Sequence, residues 1–519
     1  MAIELVKENI EYEQLLGENT ADNVIKAEYV IPDTLPDVRE ILMLDANPSI
    51  ISIEVMQDKV YIEGQILYNV LYLSKEENNE LFSVNYVGKF TNYIQVSGSE
   101  HKMLCQSECS IEHMGCNFVN ERKISMEGIV KTKAKVMKNC SFDIVKEIKH
   151  SNDIQLLKNP ASIDKIIGEV KGNLVGKSHL VIPMDKPQIK SILKIDVNLH
   201  KRDIRVIEGK VEVDTFALLQ VIYKGDEERE IEYLSDDILI RQEMDLTGAN
   251  SSMDGFGDFI IQNIEHNIKE DDLGESRILD IELNVRAEVK VSTKENIDII
   301  EDAYSPATVL NMVKKDYIFN VVHGVRGFET IVKENLPVRN KGTKPQSVIL
   351  SKGKVCVTDK KLVEDKAVIE GLLQVNVLYK VDNDSKCVDA IEEEVPFTFT
   401  TDVPGAKIDM NCAAKLFLES LDGFIEAGTI GIKAVISAET KVSYESHKDF
   451  IIDVEEIEDE IPMKKASITI YCVQPGDTMW KIAKRYSIPM ENLIKVNSID
   501  DMENISSGEK LIIPGRAVI

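Results

Sequence analysis

Tryptophan occurs once in 519 residues, aromatic side chains make up only 6% of the chain, and cysteine is held to eight. Cysteine this sparse excludes the disulfide framework of a small secreted scaffold, and in a reducing compartment the eight are expected as thiols. Long apolar runs are missing as well. None approaches the roughly 18–20 residues that a membrane helix needs. Met1-Ala-Ile-Glu-Leu-Val-Lys-Glu-Asn-Ile10 has no apolar signal core, so neither membrane insertion nor secretion is expected. Positive charge is scarce: 61 Lys and Arg stand against 89 Asp and Glu, a formal charge of −28. That balance argues against nucleic acid or an anionic membrane surface as a partner. The imbalance is uneven. From Ser467 onward acids and bases are equal in number, so the negative charge belongs to the body before it.

Catalytic and cofactor signatures are absent too. The eight histidines are scattered, and no Ser-His-Asp or Cys-His set recurs along the chain. Gly172-Asn-Leu-Val-Gly-Lys-Ser178 is one residue short of a phosphate loop. His101, Cys105, Cys109 and His113 fall at four-residue intervals. On a strand, at about 3.3 Å per residue, neighbours would stand ~13 Å apart, whereas zinc ligands must converge within about 2.0–2.3 Å of one ion. No metal, no cofactor and no enzymatic activity are expected.

What the chain does have is ordinary globular composition, 43% hydrophobic and 29% charged, and a length that predicts three or four domains. It also has a long internal repeat. Lys59-Val-Tyr-Ile-Glu-Gly-Gln-Ile-Leu-Tyr-Asn-Val-Leu-Tyr72 aligns without gaps with Lys210–Tyr223 and Lys366–Tyr379, steps of 151 and 156 residues. Val30-Ile-Pro32 with Pro36 recurs at Val181-Ile-Pro183 with Pro187. The third copy lacks a clean version, carrying Asn335-Leu-Pro337 and Lys344-Pro345 instead. A step this long means tandem domains, each able to bury its own core. Val60, Ile62, Gly64, Ile66, Tyr68, Val70 and Tyr72 alternate with Glu63, Gln65 and Asn69, the pattern of a strand with one buried face. Ser125–Val136, Ile278–Val291 and Ile430–Val442 read the same way. Gly98, Gly248 and Gly405 mark turns at matching places. Short helices are expected to join the copies, with Ser305-Pro306 as a helix start.

The fold class expected is therefore multidomain: mainly β tandem repeats with a small C-terminal α+β module. The boundaries are 1–149, 150–302 and 303–452 for the repeats, 453–466 for an acidic linker, and 467–519 for the module. Within the linker, Asp453–Glu460 holds six acids in eight residues and reads as a solvated spacer.

Tyr471-Cys-Val-Gln-Pro-Gly-Asp-Thr-Met-Trp-Lys-Ile-Ala-Lys-Arg-Tyr486, followed by Leu493, Asn497, Gly508 and Leu511-Ile-Ile-Pro514, resembles a LysM domain. The resemblance implies a βααβ module that recognises chitin-like or peptidoglycan glycans, or a protein. It places Gly476, Asp477, Thr478, Asn497 and Ile499, with neighbouring Lys481 and Ser498, in a shallow recognition groove. Asp477 or Thr478 is placed to cap the first helix. Trp480 lies one step past the core position Met479, so the helix turns it to the module's surface, where an aromatic can stack on sugar or anchor a protein interface.

Three β-rich copies carrying VIP…P and (I/V)EG…VLY elements, then one LysM, resemble the SipL family, whose repeated unit is the SPOCS domain. That resemblance implies a non-enzymatic assembly protein of the bacterial endospore coat. It implies a location in the mother-cell cytoplasm at the forespore surface, and a LysM partner in the coat-basement ATPase SpoIVA, with other coat proteins as further partners. A single LysM copy and the absence of an export signal favour protein over glycan. A glycan-binding protein of the cell wall or spore cortex is the alternative.

Overall fold

Alternating apolar residues build strands throughout the body. The computed structural model describes residues 4–75, 79–149, 154–226, 230–338, 344–381, 386–457, 468–499 and 505–514. Repeat one contains β1 (Glu4–Val30), β2 (Val38–Met56), β3 (Lys59–Ser74), β4 (Leu81–Gln95), β5 (Leu104–Asn120) and β6 (Lys123–Lys149). Repeat two contains β7 (Gln155–Val181), β8 (Ser191–Ile207), β9 (Lys210–Lys224), β10 (Ile231–Asp245), β11 (Asp254–Lys269) and β12 (Ile278–Tyr304). Repeat three contains β13 (Val309–Leu336), β14 (Pro345–Val363), β15 (Lys366–Val381), β16 (Val388–Asp402), β17 (Asn411–Glu426) and β18 (Thr429–Ile457). Each repeat forms two three-stranded antiparallel sheets, ordered β1-β6-β5 and β2-β3-β4 in the first and equivalently in the others. The sheets pack face to face. In repeat one Ile66, Tyr68, Val70 and Tyr72 of β3 meet Ile124, Met126 and Val130 of β6 in one core.

The repeated motifs have structural causes. Gly64 of the first IEG element pairs across the sheet with Phe90, and the Phe90 ring occupies the space a Cβ would need. Gly371 and Phe397 repeat this in the third copy, whereas the second pairs Thr215 with Ile240. The VIP…P segment is a loop held from two sides. Tyr72 donates to the Pro36 carbonyl (3.1 Å) and Tyr223 to that of Pro187 (3.0 Å). Arg122, just before β6, donates to the carbonyls of Ile31 (3.1 Å) and Leu35 (2.8 Å), and Arg277, just before β12, to those of Pro183 (3.0 Å) and Lys186 (2.7 Å). The residue before β18 is Gly428, so the third copy, which carries no VIP element, also lacks the arginine that anchors it in the other two. Gly98, Gly248 and Gly405 turn with φ of +79°, +87° and +80°, where glycine is favoured.

The last part of β6 outruns β5. Residues 138–149 pair only with β1, so each repeat extends a two-stranded ribbon from its sandwich, about 40 Å long at ~3.3 Å per residue. The three ribbons pack together. Tyr12, Phe142 and Ile144 from repeat one, Ile297 and Ile299 from repeat two, and Val321 and Phe450 from repeat three share one core, with Phe142 stacked on Tyr317 at 3.9 Å. At the end of the sandwiches farthest from the ribbons a second shared core joins Met43, Leu71 and Leu81 to Leu193, Ile222 and Ile231 and to Leu350, Leu378 and Val388. Ion pairs close the circle: Lys290–Glu13 (2.5 Å) links repeats two and one, Lys380–Glu232 (3.4 Å) three and two, and Lys386–Glu40 (2.7 Å) three and one. The body is thus a ring of three repeats about one axis.

At that axis equivalent positions differ in charge. Asp45, Asp196 and Lys352 pair with the matching residues Asn69, Gln220 and Asn376 of β3, β9 and β15. Lys352 contacts Asp196 (2.6 Å) and Asp45 (3.1 Å), and Lys194, in the place of Met43 and Leu350, also pairs with Asp45. Burial and the nearby Lys352 charge push Lys194 down to about 7. Burial pushes Asp196 up, but the two lysines outweigh it and its carboxyl ends below the usual range.

Two expectations need correction. Ser305-Pro306 does not open a helix. Ser305 Oγ accepts the Ala307 amide (3.1 Å) in a bend and the chain re-enters as β13, so the polar cap serves a turn. Among the described residues the only helices lie in the terminal module. The acidic stretch begins inside the repeat: Asp453–Ile457 remain in β18 with Val454 buried, while 458–466 lie outside the described residues. Gly176-Lys-Ser178 sits mid-strand in β7, paired with Leu283, Glu282 and Ile281, not in a phosphate loop. Cys105, Cys109 and His113 are strung along β5, and Cys105, Gly255 and Cys412 oppose Val136, Val291 and Val442 at one repeated position.

Candidate functional site

The terminal module is built as β19 (Ile468–Cys472), α1 (Met479–Arg485), α2 (Met490–Asn497) and β20 (Lys510–Pro514), the two strands paired antiparallel. Val473, Met479, Ile482, Ala483, Leu493, Leu511 and Ile513 are buried at its centre, and Tyr486 and Ile505 pack against them. The helices are short, so their ends must be tied. Thr478 is the N-cap of α1, its hydroxyl accepting the Lys481 amide at 3.2 Å. Asp477 does not cap. It accepts the Gln474 amide (2.9 Å) and the Tyr471 hydroxyl (2.5 Å), closing the turn in which Gly476 takes φ +83°. These hydrogen bonds, with Arg485 nearby, hold its carboxyl below the usual range.

The expected groove residues divide into two kinds. Gly476, Thr478, Lys481 and Ser498 are exposed, Ser498 in the left-handed conformation at φ 52°. Lys481 Nζ donates to the Gly476 carbonyl (3.0 Å), a side-chain link between helix and turn. Asn497 is structural. Its amide donates to the carbonyls of Leu493 and Ile512 (both 2.8 Å) and its oxygen accepts the Ile512 amide (2.6 Å), stitching α2 to β20. Ile499 packs against the module's core, half-buried.

Trp480 is the largest surprise. It does reach the module's surface, but that surface lies on repeat two. Its indole Nε1 donates to Asp302 Oδ2 (2.8 Å), and its ring meets Tyr304 edge-on at 4.9 Å between centroids. Lys484, one turn along α1, contacts the other oxygen of Asp302 (2.6 Å), and the Tyr304 hydroxyl donates to the Ile488 carbonyl (2.8 Å). Burial raises the Asp302 carboxyl, but hydrogen bonds from Lys484 and Trp480 outweigh it and leave it below the usual range. Asp302 and Tyr304 are residues that sequence reasoning missed. Their signal was faint: two strand residues on one face, far along the chain from the motif they serve.

The family model for the SipL SPOCS domain matches residues 37–119, 188–269 and 344–426, and the LysM domain model matches 471–514. Each SPOCS match runs from the start of β2 to the end of β5 or its counterpart, leaving the long strands that make the ribbons outside it. No curated protein and no solved structure matches the chain. Three SPOCS domains followed by one LysM domain give this chain the SipL-type architecture, that of a sporulation-related, LysM-containing protein.

Proposed function

We propose that the protein is a non-enzymatic tether in endospore coat assembly, its LysM domain holding the coat-basement ATPase SpoIVA at the forespore surface while the repeat ring recruits further coat material. The observation that carries this reading is the exposed turn Gly476–Thr478 with Lys481 and Ser498, presented on a neutral module docked to a strongly acidic body. Protein recognition suits a single module, since one shallow groove lacks the avidity that repeated LysM copies supply. Pull-down by the full-length chain tests it. Lys481→Glu together with Ser498→Arg, both on exposed positions and neither adding a tryptophan, should abolish retention of the ATPase with the β-rich circular dichroism unchanged. Retention at wild-type level would refute the tether.

Glycan binding is a second reading, supported by the retention of the LysM turn in its exposed form. Titration of the full chain with chitin oligomers separates the two, because only the glycan reading expects saturable binding that the same double variant removes.

A further inference from the structure

Asp302 and Tyr304 stand two apart on β12, so both side chains project from the same face of the strand. Together they engage three separate groups of the LysM domain: the Trp480 indole, the Lys484 ammonium and the Ile488 carbonyl. Tyr304 is buried within the module's own apolar cluster, beside Val473, Met479 and Ile488. A loosely strung module would leave its large aromatic free to meet solvent. Here the aromatic is seated, and its N–H donor and the adjacent ammonium are both satisfied by one carboxylate.

We propose that the end of β12 is a built-in seat for the LysM domain, which fixes the module's orientation and withdraws Trp480 from outside partners. The Trp480–Lys484 face is thereby a recognition surface for an extended strand presenting a carboxylate and, two residues on, a tyrosine, and its occupant is repeat two itself. An external partner meets the turn side of the module. The inference rests on the docking geometry and not on which partner the turn side takes.

The chain's single tryptophan makes the test direct, since all indole fluorescence comes from Trp480. In the full-length protein the seat predicts blue-shifted emission and weak quenching by acrylamide. Asp302→Asn and Lys484→Met, one on each side of the contact, should each red-shift the emission and raise quenching toward that of an exposed indole. Tyr304→Phe, which removes only the hydroxyl bond to Ile488, should give a smaller change in the same direction. Wild-type protein quenched like free tryptophan, or the two contact variants both indistinguishable from wild type, would overturn the seat. Loss of partner pull-down in the turn-side double variant with fluorescence unchanged would leave the seat standing, so the two proposals fail separately.

Discussion

At the scale of single residues, the LysM domain shows how far a motif can be read. The turn glycine, a cap at Asp477 or Thr478 and the apolar positions of its core were legible because each obeys local rules of spacing and hydrogen bonding, and the fold chose Thr478. Asn497 was legible as a motif residue but not as a fastener, since its partners Leu493 and Ile512 are chosen by the fold. The destination of Trp480 was not legible at all. A helix position predicts surface or core, never which neighbour covers the surface. The seat also carries a pH dependence whose sign follows from Asp302. Its carboxyl is depressed while docked, with Lys484 on α1 and Lys314 on β13 as the facing cations. Docking free energy from this group is therefore complete above the ordinary carboxylate value of about 3.9 and lost as pH falls through the lower docked value. Trp480 emission should stay constant from neutral pH down to about 4 and shift red below it. A shift centred in the histidine range would contradict the assignment to Asp302.

At the scale of elements, period-two patterning revealed β3, β9 and β15 because each has one buried face. It did not reveal the ribbons, whose buried alternation is confined to short pairs such as Phe142 with Ile144 and Ile297 with Ile299, covered by other repeats. Ser305-Pro306 misled for the converse reason: a cap followed by proline is as good a turn as a helix start, and strand pairing on both sides decided it. The paired differences between repeats are more instructive. Gly64 with Phe90 and Gly371 with Phe397 fill the same space that Thr215 and Ile240 fill between them. Gly371→Thr alone should destabilise by about 1–3 kcal/mol through overpacking. Gly371→Thr with Phe397→Ile, the pair borrowed from repeat two, should recover most of that loss. Denaturant melts of the single and double variants check it, and equal losses in both would show that the two sites are not coupled.

At the scale of the whole molecule, three similar repeats arranged about an axis raise the question of what keeps each in its place. The axial residues answer it. Asp45 and Asp196 are acidic and Lys352 basic at one equivalent position, so three copies of repeat one or of repeat three would gather three like charges there, and only repeat two adds a compensating lysine, Lys194. Lys352→Met removes the cation shared by two carboxylates. Breaking a buried pair in this way typically costs about 3–5 kcal/mol. The variant should melt in more than one step, as the ring opens before the repeats unfold, where the wild type melts cooperatively. A single transition at the wild-type midpoint would argue that apolar packing alone holds the ring.

The chain passes from one repeat to the next only at the ribbon tips, between Lys149 and Gln155 and between Tyr304 and Val309, and the LysM domain sits at the same tip. Covalent traffic is thus confined to one pole. A surface that grips the LysM domain receives the molecule end-on and in a single attitude. The far pole carries no connection between repeats and then faces away, with the ends of β3, β9 and β15 set around the axis in near-threefold arrangement.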